Sequence, residues 1–173
     1  MNVPRSIDTP RLILRPFAIE DAPAVQRLAG DRDVASTTLT IPHPYEGGVA
    51  EAWIAHLQTD MERGTSVVFA VVIREARTLV GAVGLTIAPD HARAEMGYWI
   101  GKPYRGRGYC TEAAAALLEV AFERLGLHRV YATHFARNPA SGRVMQKLGM
   151  TREGRLREHV QKWGGFEDLE MYG

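Results

Sequence analysis

Arg105-Gly106-Arg107-Gly108 stands where an apolar strand pattern gives way to the longest helical pattern of the chain. The first amides of a helix lack intrahelical acceptors, and the helix dipole adds partial positive charge, so a helix start attracts anions. Glycine lets the backbone approach a phosphate where a Cβ would stand in the way. Arginine adds charge and forked donors. The stretch Ile100-Gly101-Lys102-Pro103-Tyr104-Arg105-Gly106-Arg107-Gly108-Tyr109-Cys110-Thr111-Glu112 therefore reads as a phosphate-binding turn, against the plainer reading of a tight turn with two solvated arginines. It fits neither of two familiar phosphate motifs. A Walker loop needs Lys then Ser or Thr after its second glycine, and Gly106 is followed by Arg107-Gly108. A Rossmann fingerprint from Gly106 needs glycine where Thr111 stands.

Four more positions carry chemistry. Asn138 precedes Pro139, a pairing suited to a helix cap and first helical residue, and Ser141 falls in the first turn. Glu95 is a lone carboxylate entering an apolar strand, where alternation groups it with Gly97 and Trp99 and sets Met96, Tyr98 and Ile100 on the opposite face. A carboxylate held partly away from water takes up protons more readily; the plainer role for Glu95 is a salt bridge with Arg93 or Lys102. Cys110, the single cysteine, excludes an internal disulfide and a cysteine-clustered zinc site. A thiol at a helix start can have a lowered pKa, so a covalent route through Cys110 stands beside plain packing. The histidines at 43, 56, 91, 128 and 134 lack metal-ligand spacing and read as surface or satisfied groups; no metal is expected.

The elements that must position these residues follow from periodicity. Arg11–Arg15 is a short strand ended by Pro16. Ala18, Ala22, Val25 and Ala29 mark a helix to about Gly30, and Val49, Trp53, Leu57 and Met61 a second helix stopped by Gly64. Val67–Ile73, apolar throughout and rich in β-branched residues, is a strand buried on both faces. Strands follow at Leu79–Ile87 and Arg93–Ile100. The long helix after the glycine turn is capped by Gly126. A strand at Val130–Phe135, a short helix at Pro139–Leu148 and two strands around Gly164-Gly165 end the chain. Hairpins in the first half and strand–helix–strand units in the second imply an α/β (α+β) fold: a mixed sheet covered by helices.

With 173 residues, one domain over residues 1–173 is expected. Lys plus Arg number 21 and Asp plus Glu 20, a net +1, which provides no field for nucleic acid or an anionic membrane. The longest apolar run, Val67–Ile73, falls far short of the ~20 residues of a membrane span. The N-terminal residues lack a signal-peptide core. A soluble, cytoplasmic monomer or homodimer is expected.

The glycine turn resembles the GNAT superfamily of acetyl-CoA-dependent N-acetyltransferases. Their signature Q/R-x-x-G-x-G/A is matched by Arg105-x-x-Gly108-x-Cys110 at all but its last position. The run from Gly97 to Ala113 is similar to the RimJ/RimL-type branch, the ribosomal-protein-alanine N-acetyltransferases. So are Asn138-Pro139-Ala140-Ser141, Lys147-Leu148-Gly149-Met150, Glu153-Gly154 and the opening Thr9–Arg15. The resemblance spans nearly the whole chain. It implies a GNAT-like, mostly antiparallel six- to seven-stranded sheet with helices on both faces. It implies that the amides of Arg105, Gly106, Arg107, Gly108, Tyr109 and Cys110 hold the CoA pyrophosphate, that the strand end at Ile100, Gly101 and Lys102 pairs with the pantetheine arm, and that Arg105 or Arg107 meets the adenosine phosphates. It further implies that Asn138 bonds the pantetheine region and that Ser141, near the sulfur, is the acid, with Tyr98 its alternative. The candidate base is Glu95, from its place in the strand; the resemblance offers Glu158 and His159 as competitors, although Val160 is apolar where that branch suggests a carboxylate. A backbone N–H around Trp99 or Ile100 meets the oxyanion. The acceptor is a protein N-terminal α-amine or a small-molecule amine, entering beside Pro42-His43-Pro44-Tyr45 and Trp163-Gly164-Gly165-Phe166. The rival is a non-catalytic acyl-CoA-binding or sensing module.

Overall fold

The computed structural model describes residues 2–173. Strands β1 (Ile7–Asp8) and β2 (Leu12–Arg15) come first, then helices α1 (Ala22–Ala29), α2 (Arg32–Ala35) and α3 (Val49–Glu62). Next come β3 (Ser66–Ile73), β4 (Thr78–Ala88) and β5 (Arg93–Ile100), then α4 (Tyr109–Glu123), β6 (Arg129–Phe135), α5 (Pro139–Lys147), β7 (Arg152–Lys162) and β8 (Gly165–Tyr172). They build an eight-stranded sheet in the order β1-β2-β3-β4-β5-β6-β8-β7. All neighbours are antiparallel except β5 and β6. The mixed, mostly antiparallel sheet expected from sequence is present. It exceeds the six to seven strands expected because Ile7–Asp8 pairs with Ile13–Leu14, a bridge too short to leave an alternation signal.

Alternation along the central strands divides the core. Val67, Phe69 and Val71 pack with Val83, Leu85, Met96 and Ile100 against Ala114, Leu117 and Ala121 of α4. On the other face Ala70, Val72 and Leu79 meet Leu28 of α1, and Trp99 lies against both α1 and α3. Burying a side chain such as Phe69 or Leu117 stabilises the fold by about 1.5–3 kcal/mol relative to exposure.

Two local departures from the sequence pattern have clear causes. The first helix does not start at Ala18: residues Ile19–Asp21 form a 3-10 turn before α1. Asp21 holds that turn, accepting from the Ala18 amide at 2.9 Å and from Nη1 and Nη2 of Arg15 at 2.7 and 2.8 Å. The segment before α3 holds the short α2, whose start is capped by Asp31 accepting from the Asp33 amide at 2.8 Å.

The feature that positions the site is a split in the sheet. β5 and β6 pair only from Arg93↔Arg129 to Glu95↔Tyr131. Beyond that point β6 continues with β8, from Ala132↔Tyr172 to Phe135↔Leu169, while β5 keeps only β4. The two half-sheets part there, and Met96–Ile100 is left with one unpaired edge.

Candidate active site

The split opens a cleft of about 870 Å³ that runs through the sheet from α3 to the start of α4 and α5. At one end Gly106 and Gly108 have φ of 75° and 80°, in the left-handed region that glycine enters without strain. Gly108 caps α4 with no side-chain bond to its amides. Among the described residues, none of the amides from Gly106 to Thr111 donates to a protein acceptor. A continuous run of unpartnered N–H groups at the start of a long helix fits a diphosphate in hydrogen bonding and in dipole sign.

The loop is braced from below. Glu112 accepts from the Thr9 hydroxyl at 2.6 Å and from Arg11 through its amide at 2.9 Å and its Nε at 2.6 Å. Arg11 Nη1 in turn donates to the Arg107 carbonyl at 2.9 Å. Burial alone raises the Glu112 carboxyl; the hydrogen bonds from Thr9 and Arg11 outweigh it and hold the group below its usual range. A depressed folded-state pKa adds stability that is fully present above the unfolded value, about 4.3, and is lost as pH falls through the folded one. Glu112→Gln is therefore expected to lower Tm by about 2–4 °C at pH 7, with the gap closing in acid. Its coenzyme A affinity is expected to drop about threefold to tenfold through loop disorder. Thermal melts across pH and a coenzyme A titration check both.

Lys102 and Arg105 point away from the amides. Lys102 pairs with Asp33 at 2.5 Å, and Arg105 donates to the carbonyls of Ile100 at 3.2 Å and Asp33 at 3.3 Å. The Arg105 side chain thus ties the loop to β5 and α2, and Arg107 stands exposed.

Along β5, the Gly101 amide donates to the Val80 carbonyl at 2.8 Å, and Ile100 lies opposite Gly81. Antiparallel alternation then directs the amides of Trp99 and Gly97 at β4, and those of Ile100 and Tyr98 into the cleft. Of the two amides considered for the oxyanion, Trp99's is spent in the ladder; Ile100's faces the open edge.

On the α4–α5 side, the Tyr98 hydroxyl lies 3.0 Å from Ser141 Oγ and 3.1 Å from the Ser141 carbonyl. Burial pushes the Tyr98 phenol far above its usual range, with the Ser141 bond offsetting only part of that, so Tyr98 remains a neutral donor. Tyr98 and Ser141 are one hydrogen-bonded pair rather than alternatives. Asn138 starts α5 but makes no side-chain cap bond, so capping does not account for it; the residue lines the cleft. Burial pushes the Cys110 thiol up to about 12. That is opposite to the lowering a helix start can give, and it favours packing over the covalent route.

His134 corrects the reading of the histidines as surface or satisfied groups. It is buried, its Nδ1 donates to the Phe135 carbonyl at 2.8 Å, and among the described residues its Nε2 meets no hydrogen-bond partner. A Cβ on Gly142 would lie 2.7 Å from Nε2, so α5 seats on β6 only through that glycine.

At the far end of the cleft Glu95 accepts from the Thr133 hydroxyl at 2.8 Å, across the point where β5 and β6 part. It pairs with neither Arg93 nor Lys102. Thr133 carried no signal in the sequence, because the contact depends on parallel register between distant strands. Glu158 and His159 are exposed and lie off the cleft. A bulge between Leu156 and Val160 gives Glu158 a φ of 48°, and its amide donates to Asp168 at 2.8 Å. Pro42 and Tyr45 line the cleft. The Trp163–Phe166 turn does not; Trp163 instead lies against His43, the ring planes tilted by 44° and the centroids 5.7 Å apart. Lys162 reaches from that hairpin to the carbonyls of Leu39 at 3.1 Å and Ile41 at 2.8 Å, fixing the loop that roofs this end.

Among the described residues no three His, Cys, Asp or Glu side chains gather to hold a metal, and no helix is long and apolar enough to cross a membrane.

Residues 11–151 match the acetyltransferase (GNAT) domain family. The chain is 31% identical to the uncharacterized N-acetyltransferase YnaD of Bacillus subtilis over 96% of this chain and 94% of that protein. It is 22% identical to the [ribosomal protein uS5]-alanine N-acetyltransferase of Escherichia coli over 73% of this chain and 66% of that protein. Among solved structures, a GNAT-family acetyltransferase from Bacillus anthracis superposes with a TM-score of 0.85 at 28% identity, covering 96% of each chain.

Proposed function

From the premise that this chain belongs to the GNAT family of acetyltransferases, we propose that it acetylates a primary amine by direct transfer inside the sheet split, residues 1–173 acting as one catalytic unit. The acceptor is a protein N-terminal α-amine or a small-molecule amine. The observation that carries the proposal is the run of unpartnered amides from Gly106 to Thr111 leading into the unpaired edge of β5.

Bound there, acetyl-CoA supplies an acetyl thioester. The amides at the start of α4 take the diphosphate, and Arg107 is the basic side chain left for phosphate charge. The open edge of β5 pairs with the pantetheine arm as an added strand would, with Asn138 bonding it from the start of α5. The Ile100 amide faces the developing oxyanion, where a preorganised donor lowers the barrier. Glu95, held by Thr133, takes the proton that the amine loses, directly or through water. Ser141, oriented by Tyr98, donates a hydrogen bond to the departing sulfur.

The test is thiol release from acetyl-CoA over a panel of amines, with the acetylated product identified by mass; no product from any amine or peptide overturns it. Ser141→Ala is expected to reduce kcat about tenfold to a hundredfold with coenzyme A affinity nearly intact, the pattern of a contact made in the transition state. Tyr98→Phe loses less, because it removes only the group that orients Ser141. Steady-state kinetics that leave kcat of Ser141→Ala unchanged reduce Ser141 to a helix residue.

A further inference from the structure

Residues 36–43 bridge the sheet split at the end of the cleft away from the glycine turn, and the second half-sheet holds them through cations. Arg137, just beyond β6, donates to the Ser36 carbonyl at 2.6 Å and to Glu167 of β8 at 2.8 Å. Lys162, the last residue of β7, donates to the carbonyls of Leu39 at 3.1 Å and Ile41 at 2.8 Å. Trp163 follows, with its ring against His43. The same segment is anchored on the first half-sheet by its apolar side chains. Ile41 and Tyr45 pack with Trp53 and Trp99 on the buried residues of α1 and α3. Ile41 is thus held from both halves, its side chain by α1 and α3 and its carbonyl by Lys162. Residues 37–42 line the cleft.

Lys162 is an unusual anchor. It is only 8% exposed, and among the described residues no carboxylate pairs with it. Burial, with the charge of Arg137 nearby, lowers its pKa from the ordinary lysine value. A buried cation is costly unless its hydrogen bonds are made, so the ammonium and the two carbonyls fix one another. The Trp163 ring, 5.1 Å from Nζ, adds a cation–π contact. Lys162 itself does not line the cleft.

We infer that Lys162 is a positioning residue for the transfer: by tying Leu39 and Ile41 across the split it holds the wall against which the acceptor amine is presented, while touching neither acceptor nor coenzyme. The inference rests on the acetyl transfer proposed above. It assigns acceptor binding in part to a side chain outside the cleft, and leaves coenzyme binding to the amides of Gly106–Thr111 at the other end.

Three variants grade the anchor. Lys162→Met keeps the buried stem without the charged donors, Lys162→Gln keeps a neutral donor on a shorter stem, and Lys162→Arg keeps the charge. The probe is the amine of the panel that the unaltered protein acetylates fastest, titrated at saturating acetyl-CoA. In Lys162→Met its KM is expected to rise about tenfold or more, as the fraction of molecules with the wall in place falls. The kcat at saturation stays within about twofold and coenzyme A affinity is unchanged, the split expected when only acceptor binding is lost. Lys162→Gln falls between, and Lys162→Arg stays within about threefold of the unaltered protein. Should Lys162→Met fail to fold, the other two carry the comparison. Hydrogen exchange of the amides in residues 37–42 is expected to quicken in Lys162→Met and Lys162→Gln while that of residues 106–111 holds, a readout that needs no acceptor. An unchanged KM, a kcat or coenzyme A affinity that falls in step with Tm, or unchanged exchange across residues 37–42 overturns the inference and leaves the transfer reading standing. Thiol release with none of the amines overturns the transfer reading, and the inference with it.

Discussion

Gly108→Val is expected to weaken coenzyme A binding about a hundredfold or more while the protein still folds. Gly108 has φ of 80°, where a branched residue costs about 1–3 kcal/mol. That translates to a Tm loss of roughly 2–12 °C for a chain of this size. Its Cβ would lie 3.2 Å from Arg11 Nη2, the flexible end of a side chain that can shift. Toward the ligand there is no such slack. A backbone that relaxes out of the left-handed region turns the amides at the start of α4 away from the proposed diphosphate. A loss of two or three contacts of the charge-assisted kind is worth about 3 kcal/mol or more, which is at least the hundredfold stated. Titration calorimetry beside thermal melting separates the two effects; a folded variant with wild-type affinity removes the glycine turn from the binding site.

Glu95→Gln is expected to lower kcat about a hundredfold to ten-thousandfold, the range of a lost general base, with coenzyme A affinity unchanged. Glutamine has the same shape and can still accept from Thr133, so the β5–β6 junction keeps its geometry. What it cannot do is take a proton. The variant then depends on amine that arrives neutral and on solvent to take its proton, so its rate climbs with pH toward the pKa of the acceptor. Pre-steady-state and steady-state rates from pH 6 to 10 (about one point per half unit, spanning the range from neutral to amine titration) check this. A variant within threefold of wild type throughout, on a scale where each factor of ten is about 1.4 kcal/mol, assigns the base elsewhere.

What could be read from the chain before its structure follows the locality of the physics. The glycine turn was legible because everything it needs lies within a few residues: two positions free to take positive φ, a helix start, and arginines. The central strands were legible because β-branched runs such as Val67–Ile73 alternate or bury as a unit. Long-range partners were not. Glu112 is one of three glutamates on α4, with Glu119 and Glu123, and nothing local announces that Thr9 and Arg11 converge on it. Glu95 stands out in its strand, but its partner Thr133 depends on a parallel register that ends at Glu95 itself. Asn138 had the look of a cap, yet with ψ of 69° its backbone departs from the extended capping conformation and the cap bond is absent. One further residue carries a signal in its spacing: His134 shares the buried alternation of Val130 and Ala132.

In the proposed complex coenzyme A sits with its diphosphate on the amides at the start of α4 and its arm along the open edge of β5. Amide nitrogen–proton spectra recorded while coenzyme A is added test it residue by residue. The largest shifts are expected at Gly106, Gly108 and Tyr109, followed by Tyr98 and Ile100, with the amides of Gly97 and Trp99, already bonded to β4, moving less. Saturable binding that leaves the Gly106–Thr111 amides in place contradicts it.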